Sequence, residues 1–170
     1  MRKRLALAIS LTLLLFASCK KTQEESSPAL ENTNLDSVYL SNDYLEPAFK
    51  AVKLLSGGEL EEGMRVLDSL HTVYPTDPQM LFQKAVAFYL MGMRDSSQNC
   101  IRQCRDLYRK YRPKDTINRA MCDFLLGNVD EARKQAAEED STFLTLFSLT
   151  PEETMEEIVK NLKESDFTQY

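Results

Sequence analysis

Hydrophobic positions along this chain fall into three regimes. Residues 5–16 form a nearly continuous apolar run directly behind Arg2, Lys3 and Arg4. Residues 20–34 are rich in Lys, Glu, Ser, Thr and Asn, carry Pro28 and show no apolar period. A stretch of that composition cannot bury enough apolar surface to hold a fold, and it reads as a tether. Leu35, Val38, Tyr39 and Leu40 follow, placed to make a short contact with the first helix. From Tyr44 onward the apolar period is helical, and it persists.

That period also repeats. Gly58, Gly92 and Gly127 are separated by 34 and 35 residues. Seven positions before each glycine lies an alanine: Ala51, Ala85 and Ala120. Five positions after each lies a small residue: Gly63, Ser97 and Ala132. Nine after come Leu67, Ile101 and Ala136, and Pro75 follows the first glycine by seventeen. The pattern predicts helical hairpins. Glycine supplies a turn in which φ is positive without steric cost. The small residues let the two helices of a hairpin approach, and the large apolar residues fill the space between hairpins. Start signals agree with these boundaries. Asp77-Pro78 reads as N-cap then first helical residue. Asp95 with Gln98, and Asn128 with Glu131, have capping-box spacing.

Beyond Asp140 the chain is again apolar, at Phe143, Leu144, Leu146, Phe147 and Leu149. Thr150-Pro151-Glu152-Glu153 is a capping box with proline at the first helical position. It opens a helix with Met155, Ile158, Val159 and Leu162 on one stripe. A stack of hairpins needs a terminal element to cover its last face, and this segment is placed to be that cap. The expected fold class is therefore all-α, with residues 44–140 forming the repeats and 141–170 the capping helices.

A 34-residue helix-turn-helix period with this Gly/Ala/Pro pattern resembles the tetratricopeptide repeat. The first unit, about 44–77, carries Ala51, Leu54, Gly58, Leu60, Gly63, Leu67, Leu70 and Pro75. The second, about 78–111, keeps Ala85, Phe88, Gly92 and Ile101, with Arg94 and Arg109 as departures. The third, about 112–144, keeps Ala120, Gly127, Val129 and Ala132. It departs at Asp123 and Glu139, where apolar residues are usual. The resemblance covers about 100 of the 170 residues. It implies a short right-handed solenoid whose first helices line a concave surface that receives peptides or partner helices. Carried over position by position, that lining is Ala48, Val52 and Leu55 from the first unit. The second gives Phe82, Val86 and Tyr89, and the third Ile117, Met121 and Phe124. A mostly apolar lining predicts burial, with two possible occupants. One is a partner segment laid into the groove, a protein or alternatively a hydrophobic peptide or lipid. The other is the chain's own 143–149 stretch or N-terminal segment.

The leader adds a location. A basic start, an apolar run and the small residues Ala17-Ser18 before Cys19 have the layout of a secretory signal peptide. The apolar run is shorter than the ~20 residues a bilayer-spanning helix needs. The cysteine makes the segment resemble a lipobox, the cleavage motif of bacterial lipoproteins, with Phe16 where leucine is commonest. The resemblance implies removal of residues 1–18 and acylation at Cys19. Residues 19–43 would then tether the domain to a membrane of the cell envelope. Lys20, rather than an aspartate, follows the cysteine, which favours the outer membrane.

Charge and chemistry narrow the remaining classes. The formal charge of −5 becomes −8 without the three leader cations, a poor match for nucleic acid. There is no Trp and one His, His71, whose place near a helix end favours a cation. A lone histidine excludes His-pair metal sites. No H-E-x-x-H, phosphate loop or G-x-S-x-G occurs, so a non-catalytic chain without metal or cofactor is expected. Glu61-Glu62 and Glu138-Glu139-Asp140 read as solvated faces. So do Arg102, Arg105, Arg109, Lys110, Arg112 and Lys114, which could otherwise meet an acidic partner. With Cys19 acylated, Cys100, Cys104 and Cys122 remain. They read as small buried apolar residues, with Cys100 and Cys104 one helical turn apart as the alternative thiol pair.

Overall fold

The computed structural model describes residues 41–165, apart from the Ser141 side chain. The leader 1–18, Cys19, the tether up to residue 40 with its Leu35–Leu40 contact, and residues 166–170 lie outside the described residues. The described chain is all-helical. In order it forms α1 (Asn42–Ser56), α2 (Leu60–Val73), α3 (Pro78–Leu90), α4 (Arg94–Tyr111), α5 (Thr116–Leu125) and α6 (Val129–Glu139). A 3-10 helix (Ser141–Phe147) and α7 (Pro151–Glu164) complete it. Among the described residues no helix is long and apolar enough to cross a membrane.

Six of the helices pair as three hairpins, α1 with α2, α3 with α4 and α5 with α6, and the hairpins pack in chain order through α2 on α3 and α4 on α5. The repeat predicted from spacing is the physical repeat. Gly58, Gly92 and Gly127 sit in the three hairpin turns with φ of 84°, 74° and 89°, a region that L side chains disfavour. Ala51, Ala85 and Ala120 are fully buried, as are Leu67, Ile101 and Ala136. The small residues Gly63, Ser97 and Ala132 are buried too. Each sets how closely its second helix approaches the first. A Cβ built on Gly63 would lie 2.8 Å from Leu55 Cδ2. At the equivalent place in the second hairpin, Ser97 Oγ donates to the Ala85 carbonyl at 2.8 Å.

The apolar interior divides in two. One cluster centres on the first hairpin, with Tyr44, Ala48, Leu55, Met64 and Leu67, and takes in Met80 and Ala87 from α3. The larger one gathers Phe82, Ile101, Met121 and Phe124 from the other hairpins with Phe147, Met155 and Ile158 from the tail. Phe88 and Leu162 pack against both. A polar contact also ties the first hairpin to the second. The Tyr44 hydroxyl donates to Asp77 Oδ2 at 2.7 Å, while Asp77 Oδ1 accepts from the Gln79 amide at 2.9 Å. Asp77 is thus the N-cap expected for α3, and the same buried carboxylate anchors α1.

The other predicted caps divide. The Thr150/Glu153 box forms in both directions at the start of α7. The boxes at Asp95 and Asn128 do not form. Helix α4 begins earlier, with Met93 as N-cap, so Asp95 lies in the first turn, where its charge suits the helix dipole. Asn128 is the N-cap of α6 by position, but its amide is drawn to Asp123 Oδ1 at 3.4 Å.

The close approach at Gly63 carries a prediction. Alanine is favoured over glycine inside a helix by about 1 kcal/mol. Here its methyl would press on the buried Leu55 side chain, at an overpacking cost of about 1–3 kcal/mol. Gly63→Ala is therefore expected to lower stability by roughly 1 kcal/mol in urea unfolding. Adding Leu55→Ala should cost less in that background than in the wild type. Additive losses would mean the contact does not set the spacing.

Candidate functional site

The nine residues proposed to line a groove lie on α1, α3 and α5, the first helices of the hairpins. All three of these helices are packed against α7, which runs back across them from the third hairpin toward the first. Its start is fixed by the Thr150/Glu153 box and by Pro151. Its apolar stripe joins the large core: Met155 and Ile158 are buried, and Val159 and Leu162 pack beside them. The surface that the repeats expose is thus filled by the chain's own last described helix, not by the 143–149 stretch.

Burial sorts the nine residues. Val52, Phe82, Val86 and Met121 are between 5% and 7% exposed. Tyr89 and Ile117 are half-buried. Ala48 and Leu55 are 1% exposed in the core cluster of the first hairpin, against which Leu162 of α7 also packs, and Leu55 is turned onto Gly63. Phe124 is also interior, with its ring 5.0 Å from that of Phe147 in the 3-10 helix. Most of the 3-10 segment packs on α6 instead, and Arg133 donates to the Phe147 carbonyl at 2.9 Å to hold it there. Beside α7 one cleft of about 300 Å3 stays open, lined by Tyr89, Arg94, Ser97, Gln98, Leu125, Pro151, Glu152 and Met155. The Arg94 guanidinium lies over the Tyr89 ring, 3.3 Å from its centre, at the edge of this cleft.

Asp123, where the third unit departs from its pattern, is the most connected polar group in this half of the protein. It is 1% exposed on α5. Arg109 donates to both of its oxygens at 3.4 and 3.2 Å, and Arg105 to one at 3.5 Å. Gln135 of α6 donates to it at 3.3 Å, and Asn128 at 3.4 Å. Gln135 in turn accepts from Arg119 at 3.2 Å. The predicted basic face is therefore divided. Arg105 and Arg109 turn inward onto this carboxylate, Lys110 lies over the Tyr111 ring at 4.8 Å, and Arg102 is left to solvent. An acidic residue at an apolar helical position, with arginines four apart on the preceding helix, was the sequence signal for this hub.

The other ionisable candidates offer little chemistry. Glu62 pairs with Arg65 at 3.0 Å, and Asp140 accepts from the Thr142 amide at 2.8 Å as a cap. Cys100, Cys104 and Cys122 are buried free thiols. Burial, then the Cys122 thiol, pushes the Cys104 pKa well up, so it is a protonated thiol in the native state. Among the described residues no group of three or more His, Cys, Asp or Glu side chains is placed to hold a metal ion. His71 differs from its expected role as a helix-end cation. Burial, then the charge of Lys84, holds its pKa below the usual value, against the opposite pull of Asp77 and Asp68.

No protein-family model matches this chain, and neither a curated protein nor a solved structure matches it significantly.

Two predictions follow from these charges. Asp123→Ala takes the buried acceptor away from Gln135, Asn128, Arg109 and Arg105; Arg105 keeps Asp106 at 3.1 Å, so a loss of about 1–3 kcal/mol is expected. Arg109 has a side chain 49% exposed, and its removal should cost less than about 1 kcal/mol. Urea unfolding of the two variants checks the order, and equal losses would contradict it. For His71, the unfolded chain takes up the proton first as pH falls. Stability from the neutral ring is complete above about pH 6.5 and is lost as pH drops from there through the folded-state pKa. The fall in Tm between about pH 7 and pH 5.5 should therefore be smaller in His71→Gln than in the wild type. An identical fall would remove His71 from the acid response.

Proposed function

We propose that this chain is a lipid-anchored protein of the cell envelope that recruits a protein partner through a tetratricopeptide-like scaffold. The anchor is acylated Cys19, the spacer is residues 19–43, and the outer membrane is the favoured site. The scaffold is a short solenoid of the three hairpins. Its role is to hold a partner, without a reaction of its own.

One observation carries the reading: an amphipathic helix, α7, lies across the first helices of all three hairpins. That surface fits a helix bearing Met155, Ile158, Val159 and Leu162, a stripe at i, i+3, i+4 and i+7. A partner helix with the same stripe is what such a surface recognises, and it would take the place of α7. A lipid or extended hydrophobic peptide fits less well, because the apolar lining is already covered and the remaining cleft is edged by Arg94, Gln98 and Glu152.

Crosslinking of the full-length, lipidated protein in cells tests the reading, run beside Ile158→Asp, which loosens α7 from its seat. One envelope protein should dominate, with more captured by the variant than by the wild type. Equal or no capture would sink the groove as the recruiting surface. Cys19→Ala tests the anchor separately: it should move the protein out of the membrane fraction, and an unchanged distribution would overturn the lipoprotein reading.

A further inference from the structure

Cys104 and Cys122 are far apart in sequence and adjacent in space. Cys104 lies on α4 and Cys122 on α5, on either side of the joint between the second and third hairpins. Their sulfurs are 3.5 Å apart, with the Cys122 thiol donating to Cys104 Sγ. Cys104 in turn donates to the Pro78 carbonyl at 3.1 Å, at the start of α3. Both residues are at most 1% exposed. The third thiol stands apart. Cys100 shares a helix with Cys104, but the charges acting on it are those of Lys84 and Asp68. The structure therefore brings two cysteines from different hairpins into sulfur contact, beside the pair one helical turn apart on α4.

We propose that Cys104 and Cys122 are a modification site, a dithiol that closes to a disulfide linking α4 to α5 when the chain folds with a disulfide-bearing oxidant present. A bonded pair of sulfurs lies about 2.0 Å apart, so closure needs a movement of about 1.5 Å, within reach of small side-chain rotations. The reaction is two-step thiol–disulfide exchange. One cysteine thiolate attacks the donor disulfide, forming a mixed disulfide and releasing one donor thiolate. The second cysteine thiolate attacks the protein-side sulfur of that mixed disulfide and releases the other donor thiolate. The two cysteines lose two electrons, the donor gains them, and the two protons leave with the released thiols. The folded pair is buried, and burial with the neighbouring thiol keeps Cys104 protonated, so exchange occurs before the hairpins close over it. The folded protein then retains whichever state it was folded in.

The test refolds the full-length chain from denaturant with reduced and oxidised glutathione, then digests it with trypsin without reduction. Cys100 lies in the peptide 95–102, Cys104 in 103–105 and Cys122 in 120–133. The expected product is 103–105 joined to 120–133, with 95–102 free of both. Compared with protein refolded under reductant, the oxidised form should melt about 10 °C higher. That gain should vanish in Cys104→Ala/Cys122→Ala and persist in Cys100→Ser. Linkage through Cys100, or folded protein without an intramolecular disulfide, would overturn the proposal. Folded reduced protein mixed with oxidised glutathione should stay unlinked for far longer than refolding takes. Rapid closure there would overturn the claim that the folded state locks the pair.

Discussion

The spacing between the two helices of each hairpin is the constraint on which the rest depends. Gly63, Ser97 and Ala132 are buried where the second helix meets the first, and Ala51, Ala85 and Ala120 face them from the other side of the hairpin core. Small residues on both sides bring the backbones close. The hairpin then has little internal room and presents many of its large side chains to its neighbours. Phe82, Phe88, Ile101 and Phe124 accordingly pack between elements, in a core no single hairpin could form. Stacking in chain order follows from the same shortage of internal volume.

A stack built this way has apolar faces left over, and the tail is shaped by them. The 3-10 helix puts Phe147 against Phe124 and leaves Leu144 and Leu149 39% and 43% exposed, so it covers the last hairpin only in part. Helix α7 does more. It reaches from the third hairpin to the first, and Leu162 touches both halves of the core. Without it, the first hairpin is joined to the others mainly through α2 on α3, Phe88, and the bond from Tyr44 to Asp77. The helix is both a cover and a brace.

Much of this was legible because it rests on residue size and backbone conformation, which spacing reports directly. The turn glycines, the buried alanines, the N-cap at Asp77 and the capping box at Thr150 all belong to that class. What was not legible depends on which face a side chain turns to once helices from distant parts of the chain have met. Asn128 had the right spacing for a capping box, yet its amide serves Asp123. Leu55 matched a groove position, but it fills the space that Gly63 leaves open. Cys100 and Cys104 were neighbours by spacing, whereas the contact belongs to Cys104 and Cys122. Tail position was ambiguous for the same reason: the stripe on α7 showed that the helix would bury a face, not which face would receive it.

The joint between the second and third hairpins concentrates specific chemistry that the first joint lacks. Asp123 draws Arg105 and Arg109 from α4 and Gln135 from α6, while Cys104 and Cys122 meet nearby on the same two helices, α4 and α5. Apolar packing alone tolerates sliding of one hairpin on the next; a buried carboxylate satisfied by donors from both sides does not. The first joint holds a buried polar tie at Asp77, an ion pair from Lys84 to Asp68 at 2.8 Å and the buried side chains of Met80 and Ala87, and α7 spans it as well. Two hairpins joined through the Asp123 cluster and a third braced by α7 make the seat of α7 a contact shared by the whole stack. In the proposed reading, that seat is also the surface a partner helix would use. A helix that displaced α7 would have to supply the same brace, so binding and the integrity of the first hairpin would be coupled through a single set of contacts.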